Sequence, residues 1–196
     1  MYLIKTEFIK LRRCNILWVG IITLLCAPLL SILQQQSLND PVDNYGYVNL
    51  VNGTIWNNMS FFLPVTLMLL GGYMISREYT DDTLKEIFII PLSYSKLMAG
   101  KIGALLILSV FYSFYSFVLT TGLSILFYPI GLTGIAIIKA LLQICGMGLC
   151  ICISIMPFIC WSGSAKNRFW VGTVLVFVYG ILGIPLACLL YTSDAA

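Results

Sequence analysis

Residues 102–128 read IGALLILSVFYSFYSFVLTTGLSILFY, without one charged side chain. A helix needs about 20 residues to cross the hydrocarbon layer of a bilayer, so this run is long enough to span one. Each Leu, Ile, Phe or Val near the middle of a span favours insertion by roughly 0.3–0.6 kcal/mol, and a charge there would cost several times more. Four further uncharged apolar stretches lie at 15–33, 59–75, 141–160 and 170–186. The pattern predicts an all-α fold, a polytopic transmembrane helix bundle with five spans. Pro28, Pro64, Pro157 and Pro185 fall inside the stretches and are expected to kink them, which membrane bundles tolerate.

Composition agrees. The chain has 196 residues, 60% hydrophobic and 10% charged, against about a quarter charged in soluble domains. It has no histidine, which removes the commonest general base and the commonest transition-metal ligand, so no catalytic or metal site is expected. Of seven cysteines, Cys26, Cys145, Cys150, Cys152 and Cys160 lie in apolar runs and Cys14 beside a basic cluster. Cys150 and Cys152 are too close for a CxxC metal or redox pattern, and the cysteines read as small buried hydrophobes. Residues 188–196, CLLYTSDAA, look like a translated sequencing adapter. The expectation is therefore a membrane domain over 1–187, continued beyond that point in the natural protein, and a non-native tail over 188–196.

The basic residues set the expected orientation. Lys5, Lys10, Arg12 and Arg13 precede the first span; Arg77, Lys85, Lys96 and Lys101 occupy or flank the second connection; Lys166 and Arg168 occupy the fourth. The first connection, 34–58, holds Asp40 and Asp43 but no Lys or Arg. All eleven basic residues except Lys139 thus fall on one side, and Lys139 lies just outside the fourth stretch. The positive-inside rule places that side, and the N-terminus, in the cytoplasm of a cell-membrane protein.

The second connection carries a motif of its own. Thr83 followed by Glu86 forms a capping box, and Asp81 and Asp82 suit a helix N-terminus. Leu84, Ile87 and Phe88 recur at i, i+3 and i+4 as one apolar face, and Pro91 ends the helix before Ser93 or Ser95 caps the next. A short amphipathic helix outside the bilayer either lies on the headgroups or seats in a groove on a cytoplasmic partner. Glu78, beside Arg77 at the cytoplasmic end of the second span, suits an interfacial ion pair.

These segments resemble the ABC type-2 transporter permeases. The opening Lys5-Thr-Glu-Phe-Ile-Lys-Leu-Arg-Arg looks like the start of that family. The run Arg77-Glu78, Asp82-Thr83-Leu84-Lys85, Pro91, Ser95-Lys96 and Gly100-Lys101 looks like its motif between helices two and three. The chain departs from the usual form in having Asp82 where a glycine precedes the threonine, and Tyr94 where an arginine is common. The resemblance covers nearly all of 1–187. It implies a coupling helix, with Glu78 (a gate or a coupling residue by its family position), Asp82, Thr83, Leu84, Lys85, Ile87 and Phe88 contacting a separate ABC ATPase. It also implies a second permease subunit, identical or not, and a sixth span missing from this sequence. Bacterial permeases of this kind often export bacitracin-like or lantibiotic peptides, an association of the family and not a reading of residues.

The residues themselves point to a borrowed energy source. Gly100-Lys101 lacks the upstream glycine and following Ser or Thr of a Walker A loop. No span contains Asp or Glu, the groups with which ion-coupled carriers commonly bind or relay their ion. The chain is thus expected to bind no cofactor, with ATP and Mg held by the partner, and to bind lipid bilayer but no nucleic acid. A secondary carrier or channel, or a non-transporting scaffold, are the alternative classes. Transport in ATP-depleted vesicles separates the carrier, and ATPase stimulation separates the scaffold.

One further pattern lies in the third span. Ser109, Ser113, Ser116, Thr120 and Ser124 are spaced by four and three, so they share one helical face, with Tyr112 and Tyr115 adjoining. Ser109, Tyr112, Ser113, Ser116 and Thr120 either line a translocation path or let helices approach closely and hydrogen-bond. Gly148 with Cys152, and Gly146 with Cys150, are small-xxx-small pairs that suit packing on the fourth span.

Overall fold

A backbone in hydrocarbon must satisfy its own amides and carbonyls, so the apolar runs fold as helices. The computed structural model describes residues 16–37, 46–80, 94–127, 130–163 and 169–193. They form α1 (Ile16–Ser37), α2 (Tyr47–Asn57), a π-helical turn (Asn58–Phe62), α3 (Leu63–Thr80), α4 (Tyr94–Phe127), α5 (Gly134–Gly163) and α6 (Phe169–Ser193). Four segments are long and apolar enough to cross a membrane: Leu17–Gln34, Tyr47–Ser76, Met98–Phe127 and Gly134–Ser162. The described apolar part of α6, Trp170–Leu182, is shorter.

Side chains on the outside are as apolar as those inside. Ile135 is 82% exposed, Leu142 66% and Trp18 64%. Exposed apolar surface on this scale marks contact with lipid or a partner, not water. Inside, Leu24 of α1, Leu67 and Met68 of α3, Leu108 and Tyr112 of α4, Ile155 and Ile159 of α5 and Val176 of α6 form one core. A second cluster joins Tyr47 and Val51 of α2 to Phe117 of α4 and Ala140 and Ile144 of α5. Helix α5 packs on α3, α4 and α6, while α1 packs on α2, α3 and α4.

Two helices begin earlier than the sequence suggests. The connection expected over 34–58 is helical from Tyr47, and the fourth span starts at Gly134 instead of 141. In α2 the buried residues Tyr47, Leu50, Val51, Thr54 and Asn57 follow helical spacing. The polar residues between them masked that face in average hydropathy. In α5, Ala140 and Ile144 face the second cluster, so Lys139 lies within the helix and not outside it. Helices α1 and α5 continue through Pro28 and Pro157.

Pro64 acts at the π turn. Lacking an N–H, it cannot bond the Ser60 carbonyl four residues back, and the Leu63 N–H instead reaches Asn58 O, five residues back. Gly180 of α6 packs on the Ser60 carbonyl, where any Cβ would collide.

Two hydrogen bonds define the ends of the bundle. At one end the Tyr47 N–H donates to Ile130 O at 2.9 Å, tying the start of α2 to the α4–α5 turn, where Gly131 takes φ 84°. At the other, Lys101 Nζ donates to Met74 O at 2.8 Å, tying α4 to α3.

Candidate functional site

The hydroxyl stripe of α4 faces inward as one line: Ser109, Ser113, Ser116, Thr120 and Ser124 are all fully buried. Ser109 and Thr120 donate to carbonyls of their own helix, Leu106 O at 2.9 Å and Ser116 O at 2.8 Å. Ser113 stands against Gly148 of α5, where a Cβ would strike its hydroxyl oxygen. Its Oγ has no hydrogen-bond partner among the described residues. Tyr112 is also buried; its hydroxyl donates to Leu17 O of α1 at 3.3 Å, and Gly20 leaves room for it, since a Cβ there would lie 2.6 Å away. Beside it, Thr23 and Thr66 join α1 to α3 through their hydroxyls at 3.0 Å.

The junction of α2 with the π turn adds two buried amides to this seam. Asn58, with no exposed surface, donates from Nδ2 to Ser116 Oγ at 2.7 Å. Its Oδ1 has no partner among the described residues. The neighbouring Asn57 turns toward α1 and donates to Ala27 O and Gln34 Oε1, each at 3.3 Å. One turn away on α2, Thr54 meets Ser31 of α1 at 3.1 Å. Adjacent residues on an ordinary helix point about 100° apart, so Asn57 and Asn58 serve opposite neighbours. A π turn frequently marks a functional place in a helix. Asn58-Met-Ser has the form of a glycosylation acceptor, but full burial makes Asn58 inaccessible to that modification; Asn57 belongs to no such motif. The available signals were two adjacent amides entering an apolar run and a proline soon after.

Toward the other end, Lys101 is only 3% exposed. A buried ammonium is tolerated where it is hydrogen-bonded, and Met74 O supplies one such bond. Sequence reading counted Lys101 as a flanking charge; its burial is a finding of the structure. Lys101 and Met74 bracket the second connection. Asp82, Thr83, Leu84, Lys85, Ile87 and Phe88 lie outside the described residues, and Glu78 is described only as part of the α3 backbone. The structure therefore brings Ser109, Tyr112, Ser113, Ser116 and Thr120 together, whereas the residues expected to couple to an ATPase lie outside the described side chains.

The helices on either side of the connection at 81–93 belong to a chain that matches one known family along most of its length. The profile described as "ABC-2 family transporter protein" matches residues 3–183. The chain belongs to the ABC-2 transporter family. No curated protein and no solved structure matches it. As an ABC-2 permease, the chain is a multi-pass membrane subunit of an ABC transporter, a class that works with an ABC ATPase. The buried seam is then part of the membrane machinery of an ABC-2 permease, and Lys101 sits where α4 leaves the segment between α3 and α4.

Proposed function

We propose that the chain is the permease subunit of an ATP-driven exporter, with its N-terminus in the cytoplasm. It works as a dimer of permease subunits, identical or not, with two ATPase subunits that hold ATP and Mg. The family match over residues 3–183 carries this reading, and the one-sided distribution of basic residues supports the orientation. ATP binding draws the ATPases together. The segment from Glu78 to Phe88 seats on one of them, through Glu78, Asp82, Thr83, Leu84, Lys85, Ile87 and Phe88, and transmits the displacement to α3 and α4. An antimicrobial peptide or other lipophilic compound is the proposed cargo, on family association alone.

The hydroxyl stripe we assign to helix packing. Full burial of Ser113 beside Gly148 supports this over path lining, which would require α4 and α5 to part.

The docking step is tested by replacing Leu84, Ile87 and Phe88 with Asp and measuring how much ATPase co-purifies with the permease. Loss of the ATPase with normal membrane insertion is expected. Unchanged recovery would remove the coupling role from this segment.

A further inference from the structure

A cavity of about 300 Å³ opens between α2 and α5, at the end of the bundle where Tyr47 meets Ile130. Its polar lining comes from both helices: Tyr47 and Asn52 on α2, Lys139 and Gln143 on α5, with Val51 and Ala140 among its apolar residues. Tyr47 is almost wholly buried and its hydroxyl is held by Thr121 of α4 at 3.3 Å, so that wall is fixed. Asn52, Lys139 and Gln143 are exposed and present an ammonium and two amides. Among the described residues no carboxylate accompanies Lys139.

Depth identifies the ligand. Tyr47–Ser76 has 30 residues and α5 has 30, each about 45 Å long at 1.5 Å per residue. The hydrocarbon layer is about 30 Å thick, which leaves roughly five residues at each end in the headgroup layer. Asn52 and Lys139 follow the starts of their helices by that interval, so a bilayer centred on upright helices puts both where phosphates meet acyl chains. Ile138 and Leu142, each next in sequence to a lining residue of α5 (Lys139 and Gln143), are largely exposed and offer apolar surface beside the cavity. A soluble anion would use the charge alone, whereas a lipid uses the charge and that apolar flank together.

We propose that this cavity binds the phosphate headgroup of an anionic membrane lipid, with Lys139 neutralising the phosphodiester, Asn52 donating to its oxygens, and Gln143, about one helical turn deeper, donating to the acyl-ester carbonyls. The lipid comes from the leaflet at the α4–α5 turn, and its chains lie along Ile138 and Leu142. The site is separate from the ATPase-coupled reading and is measured with no ATPase present.

The test uses the full chain, extracted in mild detergent from vesicles of equal phosphatidylglycerol and phosphatidylcholine, with retained lipid quantified by mass spectrometry. The wild type is expected to retain phosphatidylglycerol preferentially. Lys139→Gln should lower that preference about fivefold, the weight of one lysine at an anionic lipid surface, and Lys139→Arg should keep it. Val48→Trp, which fills the cavity from α2 with Lys139 intact, should lower it as well, independently of any folding defect peculiar to Lys139→Gln. Preference unchanged in both Lys139→Gln and Val48→Trp would overturn the proposal. So would displacement of the lipid by millimolar inorganic phosphate, which would make the site one for a soluble anion.

Discussion

Ser113 of α4 and Gly148 of α5 share one space: the serine hydroxyl occupies the position that a Cβ on residue 148 would need. The two helices approach this closely because one side contributes only a hydrogen, the packing mode of small residues in membrane bundles. Gly148→Ala is therefore expected to destabilise the bundle by about 1–3 kcal/mol, the usual range for overpacking, measured by reversible unfolding in mixed micelles. Adding Ser113→Ala should recover part of the loss, because it removes the colliding oxygen. Gly146→Ala, two residues away with no neighbour within 4 Å of its Cβ position, should cost nothing.

The bond from Asn58 to Ser116 makes a separate prediction. Measured couplings between polar pairs in membrane helices average about 0.6 kcal/mol and reach about 1.7. Asn58→Ala, Ser116→Ala and the double variant should give a coupling energy within that interval. A coupling indistinguishable from zero would mean that the 2.7 Å contact does not hold α4 to the π turn.

The membrane class was legible in residues 102–128 alone, because length without charge has few other readings. The inward face of the stripe was legible too, since Ser109, Ser113, Ser116, Thr120 and Ser124 keep helical spacing and are all buried. The first turns of α2 and α5 were hidden for a common reason. Both mix polar with apolar residues at a helix end, where average hydropathy falls although Tyr47, Val51, Ala140 and Ile144 still bury one face. Lys101 was hidden differently: a lysine beside a basic connection looks like a solvated charge, and only the path of α3 supplies the Met74 carbonyl it meets. The partner of Ser113 needed the helix pairing, since Gly148 and Gly146 look alike in sequence while only Gly148 meets α4.

Gly180 sets a stricter limit than Gly148. A Cβ there meets the Ser60 carbonyl oxygen, a backbone group that Pro64 has deprived of its usual helical donor. No side-chain substitution can move it aside. Gly180→Ala should destabilise the chain at least as much as Gly148→Ala, and Ser60→Ala should fail to rescue it. Rescue by Ser60→Ala would show that the side chain, not the carbonyl, creates the close approach.

Under the proposed coupling role of residues 78–88, substitution of Lys101 is expected to separate holding the ATPase from driving the helices. Its bond to Met74 O joins the two helices that flank the proposed coupling segment, so on that proposal a displacement delivered there would reach α3 and α4 together. Lys101→Met keeps the length of the side chain and removes both the buried charge and the bond. The variant should insert and retain its ATPase, because the residues proposed to dock it, 82–88, are untouched. Coupling free energies between sites commonly correspond to factors of 5–150, so stimulation of ATP hydrolysis by the permease in vesicles should fall by about fivefold or more. Equal loss of ATPase binding and stimulation would place Lys101 in assembly of the complex. Unchanged stimulation would show that α3 and α4 transmit the displacement without this bond.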